Sequence, residues 1–462
     1  MATLPFLNRA EELARLDRAL RDDAHALVVV YGRRRLGKSR LVLEALRERS
    51  GTYYVGDDRD AALQREDLAR QITARVPGFG QVTYPDWSAL LERWWRDAPG
   101  GDVLALDEFP SLVRSSPELP SLVQKLLDRP SRPPRGLILD GSSQRMMHGL
   151  VLDGSAPLYG RAREILKLGP LDISWIRRAL GLRSDAAAVD HWSVWGGVPR
   201  YWELARDHRS REDALRSLVL DPLGVLHREP ARLLADELDV STRAATILSF
   251  VGRGVQRTSE LAARVGVPAT SLSRAVALLV ELGLLERESR SGTPRGTPSA
   301  AATASPIRSC ARGSGSWSPT AHAWRAGSSD RWRRTSRSAG PRTSARPGRI
   351  SVGPAWRRLE LFGRRWRPAS HWWGPGTDRR PLEIDILARA DDDPNVMLCG
   401  EAKVSAGSRD VARILEELAQ KAARVPDLAG KRILCAAWVL RPRGRVPASG
   451  VVSARDVVSS EA

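Results

Sequence analysis

Between Ala26 and Arg49 the chain passes from an apolar strand through a glycine-bounded loop into a helix. The run Ala26-Leu27-Val28-Val29-Val30-Tyr31 is short, apolar and β-branched, as suits a strand buried on both faces of a parallel sheet. It ends in Gly32-Arg33-Arg34-Arg35-Leu36-Gly37-Lys38-Ser39, which fits G-x-x-x-x-G-K-S without a gap. Arg40 to Arg49 continues as a helix carrying Leu41, Leu43 and Leu46. In that order the three pieces make a phosphate-binding loop and predict an α/β fold with a parallel sheet. Gly32 and Gly37 let the backbone turn tightly and aim N–H groups at phosphates, at the positive end of a helix dipole. Lys38 reaches the β- and γ-phosphates, and the Ser39 hydroxyl is placed to ligate Mg²⁺. ATP and Mg²⁺ are therefore the expected cofactors.

A second strand, Val103-Leu104-Ala105-Leu106, runs into Asp107-Glu108. Asp107 then stands at the strand's carboxyl end, where it holds Mg²⁺ through water, and Glu108 polarises the attacking water as general base. An acid pair after an apolar run is common at solvent-facing strand ends. Its position about 70 residues after the loop is what gives it weight. A third strand, Gly136 to Asp140, leads to Gly141-Ser142-Ser143. Ser142 and Ser143 are candidates to sense the γ-phosphate, and an N-cap for the helix beginning at Gln144 explains them equally well. Arg161 could neutralise transition-state charge, although a lone arginine is more often a surface residue. Glu164 to Leu168 is a further strand, and Arg200, after Gly196-Gly197-Val198-Pro199, is a second candidate to read the nucleotide.

At roughly 150 residues per domain, 462 residues allow about three. The expected division is 1–205, a P-loop ATPase domain; 206–290, a helical and winged-helix domain; 291–349, an Arg/Ser/Ala-rich segment; and 350–462, a small α/β domain. Residues 243–287 predict three helices (244–251, 259–265 and 271–282) followed by a wing strand over 284–288. Ser271, Ser273 and Arg274 face outward on the third helix, and one basic residue among them is meagre for phosphate contact. DNA contact and protein docking both remain open for it. In the tail, Leu382 to Leu387 alternates as a strand and Val396 to Gly400 is a second, leading into Glu401-Ala402-Lys403. Asp385 with Glu401 and Lys403 is the D…E-x-K arrangement of restriction-type nucleases, in which two carboxylates share a metal and the lysine holds water. The upstream acid that such sites want is not evident: Arg357 stands in the helix expected over 354–361, and Glu360 is a weak substitute.

Net charge is +19, but it is concentrated. Between Ser289 and Arg349 there are 12 Arg against one acid, Asp330, so +11 sits there. Residues 298–349 contain no Leu, Val, Lys or Glu and are built of Arg, Ser, Ala, Gly, Pro and Thr with three scattered tryptophans. A solvated basic linker, an arginine-rich nucleic-acid arm and an out-of-frame translation are the readings open to it. The third is favoured, because six Lys against 67 Arg point to GC-rich coding and ordinary patterning resumes abruptly at Ile350. No packed fold is expected there, and the wing strand is expected to lack its partner. Three widely spaced cysteines exclude a disulfide scaffold, and no apolar run approaches the roughly 18 residues of a membrane span. With no signal-peptide pattern at the start, a cytoplasmic protein is expected.

Together, Phe6…Arg9…Glu12, the loop at 32–39, Leu106-Asp107-Glu108, Gly141-Ser142-Ser143, Tyr159-Gly160-Arg161 and Gly196-Gly197-Val198-Pro199-Arg200 resemble the archaeal-type ATPases of the AAA-like group. The resemblance covers about 1–290 and resumes over about 350–455. It implies a P-loop ATPase with a catalytic glutamate, a winged-helix domain, and a C-terminal domain similar to restriction endonucleases. The expected function is that of a Mg²⁺-dependent ATPase whose hydrolysis drives a conformational switch, acting with DNA through the winged helix. The alternative is a nucleotide-gated DNA- or protein-binding scaffold with little turnover and an inactive nuclease-like tail. Expected partners are ATP, DNA and a second copy of the chain, with no membrane.

Overall fold

The computed structural model describes residues 4–21, 25–129, 135–237, 242–253, 255, 257–282, 284–287, 307–309, 360–367, 369–447 and 449–459. They form two compact units, Leu4–Gly169 and Pro170–Ala462.

In the first unit, α1 (Ala10–Leu20) precedes β1 (Ala26–Tyr31) and α2 (Lys38–Ala45). Then come β2 (Gly51–Val55), α3 (Ala61–Ile72), α4 (Trp87–Asp97), β3 (Val103–Asp107), α5 (Phe109–Ser115), α6 (Leu119–Leu127), β4 (Gly136–Gly141), α7 (Gln144–Met147) and β5 (Glu164–Lys167). The five strands form one sheet in the order β2-β3-β4-β1-β5, and every pairing is parallel. β3 and β4 are buried along their whole length and β1 up to Tyr31, which is what helices on both faces of a parallel sheet require. This is the P-loop NTPase fold. One face packs Leu27, Leu104 and Leu137 against Phe79, Trp87, Trp94 and Phe109. Because β1 is flanked by β4 and β5 while β2 lies at the far edge, the carboxyl ends of β1, β3 and β4 flank a point where strand order reverses, the usual seat of a ligand.

The second unit opens with helices α8 (Ile173–Leu180), α9 (Asp185–Trp195), α10 (Pro199–Arg206), α11 (Arg211–Leu215) and α12 (Glu229–Glu237). Side-chain caps fix three of their starts: Asp172, Ser184 and Ser210 accept from the N–H groups of Ser174, Ala187 and Asp213. A winged-helix region follows, with α13 (Thr242–Gly252), α14 (Thr258–Val265), α15 (Ala269–Glu281), β6 (Leu285–Arg287) and β7 (Ile307–Ser309). Leu272, Val276, Leu279 and Leu282 are buried against Ile247, Val251 and Leu261, the stripe expected from their spacing.

One expectation is corrected here. The wing strand is not left alone, since Leu285–Arg287 pairs antiparallel with Ile307–Ser309. A three-residue ladder needs only backbone groups, so an apolar pattern in the partner is not required. The rest of 298–349 lies outside the described residues.

The chain ends in a separate mixed sheet. Its elements are β8 (Glu360–Leu361), β9 (Arg364–Arg365), β10 (Ser370–Pro375), β11 (Pro381–Arg389), β12 (Val396–Gly407), α16 (Ser408–Ala423), β13 (Arg432–Arg443), β14 (Val451–Ser453) and α17 (Ala454–Ser459). β10, β11 and β12 run antiparallel in turn, while β12, β13 and β14 are parallel. α16 makes the crossover between β12 and β13 and buries Leu418 and Ala422 against Trp372, Ile384 and Cys399. Glu360, expected on a helix, is a strand residue paired with Arg365 at 3.1 Å, and residues 354–359 lie outside the described residues. Among the described residues no single helix is long and apolar enough to cross a membrane.

Candidate nucleotide and metal site

The loop after β1 is shaped by its two glycines. Gly32 has φ +150°, and a Cβ there would come within 2.5 Å of the Leu168 carbonyl oxygen. Gly37, at φ +89°, starts α2, and a Cβ on it would meet nothing within 4 Å, so the backbone conformation and not space selects glycine. α2 begins at Lys38, two residues earlier than the sequence spacing suggests. Lys38 and Ser39 therefore occupy its first turn, with the free N–H groups of the helix terminus around them. Arg9, just before α1, braces the loop: its guanidinium bonds Glu12 at 2.8 Å and the carbonyl oxygens of Gly169 at 2.5 Å and Leu36 at 3.4 Å.

Asp107 and Glu108 close β3 beside this loop. Asp107 is buried, and its Oδ1 accepts the Glu108 backbone N–H at 2.8 Å. Glu108 has φ +50°, a left-handed conformation that directs the chain into α5. Its Oε2 accepts the Ser142 hydroxyl at 3.0 Å and the Ser142 N–H at 3.5 Å. Ser143 instead caps α7 by accepting from the Met146 N–H. The two serines thus divide between the two roles open to them, Ser142 toward the acid and Ser143 toward the helix.

Two residues of the cluster were not singled out from the sequence. Tyr53, on β2, donates its phenolic proton to Asp107 Oδ2. Burial first, then Asp107, pushes the Tyr53 pKa up, with Ser39 acting in the opposite direction, so the phenol is a donor at neutral pH. Asp140, the last acid of β4, is 1% exposed, and neither carboxylate oxygen has a hydrogen-bond partner. Burial first, then the neighbouring Asp107, raises its carboxyl well above the ordinary range, while Lys38 pulls it down. The signal for Asp140 was present: like Asp107, it is an acid closing an apolar strand. Tyr53 offered no comparable signal, because a tyrosine in an alternating strand is ordinary.

This donor set suits a divalent cation held with phosphates. Lys38 and Ser39 in the first turn of α2, Asp107 and the unpartnered buried oxygens of Asp140 lie at the carboxyl ends of the interior strands β1, β3 and β4. Among the described residues no group of three or more His, Cys, Asp or Glu is placed to hold a metal by itself. Mg²⁺ does not require such a group, since it is usually bound by one or two protein oxygens together with phosphates and water.

Of two further expected residues, Arg161 makes its contacts elsewhere and Arg200 lies in the other unit. Arg161 forks onto Asp128 at 3.1 and 3.0 Å and onto the Pro157 carbonyl, and none of its contacts is to the loop or to Asp107–Glu108. Arg200 belongs to the second unit, on α10, where it pairs with Glu203 at 2.9 Å. In the tail, Asp385 Oδ2 accepts the Ala402 N–H at 3.2 Å. Glu401 bonds Lys403 at 2.8 Å through one oxygen and Lys421 of α16 at 3.1 Å through the other. Burial opposes its ionisation, but the two lysines together hold its carboxyl below the ordinary range.

Comparison with known proteins bears on the first of these sites. Residues 6–203 match the family of ATPase domains found predominantly in Archaea. The loop, Asp107–Glu108 and Ser142 all fall within the matched residues. Residues 238–295 match the MarR family, which covers the winged-helix region. An uncharacterized protein of Methanocaldococcus jannaschii is 26% identical over 288 residues, 61% of this chain, and the match spans about three fifths of that relative's length. The Walker-type ATPase of Pyrococcus abyssi shares the fold at 18% identity and TM-score 0.53, over 69% of this chain and 96% of that one. The ORC2 protein of Aeropyrum pernix, solved in ADPNP–ADP complexes, aligns at 16% identity and TM-score 0.42 over 70% and 96%.

Proposed function

We propose that this protein binds ATP with Mg²⁺ at Gly32–Ser39 and hydrolyses it, using the energy for a conformational switch. The observation that carries the reading is Glu108. It is kept in a left-handed conformation, and its carboxylate is held by Ser142 beside Asp107. A protein that only binds nucleotide has no need of an acid positioned there. Lys38 and the loop N–H groups receive the phosphates, Ser39 and Asp107 hold the cation, and Glu108 accepts a proton from the attacking water. Bound Mg²⁺ neutralises phosphate charge. Ser142 orients the Glu108 carboxylate, a role we assign in place of direct γ-phosphate sensing.

Lys38→Ala is expected to abolish nucleotide binding, or nearly so, because the phosphates lose the loop's only lysine. Retained affinity in a fluorescent-ATP titration would refute the site. Glu108→Gln is expected to keep binding and to lose well over tenfold in turnover, a barrier increase above about 1.4 kcal/mol. Unchanged phosphate release would show that Glu108 is not the base.

The division into an ATPase domain (1–205), a helical and winged-helix domain (206–290) and a C-terminal domain (350–462) belongs to the same proposal. The MarR-type region is assigned to DNA, and ATP turnover with and without duplex DNA tests that assignment. The tail is proposed to be restriction-endonuclease-like in descent but not a cutting enzyme. The ion pairs of Glu401 with Lys403 and Lys421 support this, since both oxygens a metal would need are already engaged.

A further inference from the structure

Arg9 reaches two backbone carbonyls that lie 27 and 160 residues further along the chain. One belongs to Leu36, inside the phosphate loop, and the other to Gly169, the residue after Leu168. Leu168 is itself fixed against the loop. Its N–H donates to the Tyr31 carbonyl at 2.7 Å, and its own carbonyl leaves no room for a Cβ on Gly32. The guanidinium therefore ties the loop to the chain just beyond β5. It is 7% exposed, and Glu12 takes its Nη1 at 2.8 Å, so a carboxylate balances the charge away from solvent. Asn8 and Arg9 stand at φ +57° and +71°, two successive strained positions for residues with a Cβ. Strain of this kind persists where the placement of a side chain matters.

We infer that Arg9 is a positioning residue for the phosphate loop, one that keeps the Gly37 N–H turned toward the phosphates. A trans peptide is planar, with its C=O and the following N–H pointing in opposite directions. The Leu36 carbonyl is turned to Arg9 Nη2, so the Gly37 N–H points away from the arginine. With α2 starting at the next residue, that donor stands beside the free N–H groups of the helix terminus. Local preference alone does not hold this arrangement, because Arg35 is left-handed at φ +70° and Gly37 at φ +89°, on either side of Leu36. Without the guanidinium, the Leu36–Gly37 peptide is free to rotate and present its carbonyl, which repels phosphate. Since Glu12 matches its charge, Arg9 acts through the loop rather than on the anion.

The inference rests on the assignment of Gly32–Ser39 to nucleotide made above, and deepens it. The test uses the full chain, titration with a fluorescent ADP, melting without nucleotide, and ATP turnover. Arg9→Lys keeps a cation for Glu12 but loses the planar guanidinium that spans both carbonyls. Its melting temperature is expected to stay within a few degrees of wild type, and its dissociation constant for ADP to rise about tenfold, the scale of one lost charge-assisted hydrogen bond. KM for ATP should rise by a similar factor with kcat within about threefold, because the loop meets phosphate in the ground and transition states alike. Glu12→Gln is the converse variant. It is expected to melt lower than Arg9→Lys, since a buried guanidinium loses its acid, yet to keep ADP affinity within about threefold, since the carbonyl contacts remain. Unchanged ADP affinity in Arg9→Lys would overturn the inference. So would an equal loss of affinity in Glu12→Gln, which would mark a folding role, or a fall in kcat at unchanged KM, which would place the arginine in the chemical step. Arg9→Lys protein that fails to fold would overturn it too, because the arginine would then serve the fold and not the loop. Wild-type protein that binds no ADP would overturn the nucleotide reading itself, and the Arg9 assignment with it.

Discussion

Glu108 stands at a backbone position, φ +50°, where any side chain with a Cβ is strained by roughly 1–2 kcal/mol. Glycine is the residue such a position favours, so a glutamate there is explained by what its carboxylate does. The usual ranking of alanine over glycine should accordingly reverse at this site. Glu108→Gly is expected to be more stable than Glu108→Ala by about 1 kcal/mol, or a few degrees in melting temperature, while neither variant turns over ATP. Equal melting of the two in calorimetry would mean that the conformation carries no strain. Residues differ in how far the sequence reveals such roles. Lys38 and Ser39 were legible because the motif fixes their spacing, and Asp107 and Glu108 because acids interrupt an apolar run. Tyr53 was not, since its partner Asp107 lies 54 residues after it and only the folded sheet brings the two together.

Among the elements, α9 carries a titratable group with a definite sign. Burial first, then the charge of Arg211, holds the His191 pKa below its ordinary value, against Glu212 and Asp190. Asp190 is itself paired with Arg211 at 3.5 Å and with Arg441. With the folded pKa below the unfolded one, the unfolded chain takes up a proton first as pH falls. The stability from neutral His191 is complete above about pH 6.5 and declines below it, by no more than about 1.4 kcal/mol per pH unit. His191→Gln removes that slope, so the wild-type melting temperature is expected to fall relative to the variant between pH 7 and 5.5. Parallel curves would exclude the effect. α13, α14 and α15 were legible as elements because helical spacing marks them. The β6–β7 pairing was not, because Ile307–Ser309 lies in an Arg/Ser/Ala run with no alternation.

For the molecule as a whole, the order of parts along the chain was visible in the sequence: a parallel-sheet domain, a winged helix and a mixed sheet. The grouping into two compact units, with the boundary at Gly169, was not, since compactness is set by long-range packing that leaves no local pattern. That grouping has a thermodynamic consequence. Every residue placed at the phosphate-loop site, from Lys38 to Ser142, lies in the unit Leu4–Gly169. A ligand stabilises what binds it by RT ln(1 + [L]/Kd), about 2.7 kcal/mol at a hundredfold excess over Kd. For a unit of this size that shifts melting by about 5–10 °C. Mg²⁺ with a non-hydrolysable ATP analogue is therefore expected to slow amide exchange in β1, α2, β3 and β4. Exchange in β11, β12, β13 and α16 should stay as it is, and the shift should vanish in Lys38→Ala. Equal slowing in both units would show that nucleotide binding is energetically shared across the chain. The switch would then already be thrown by binding, and hydrolysis would serve to reset it.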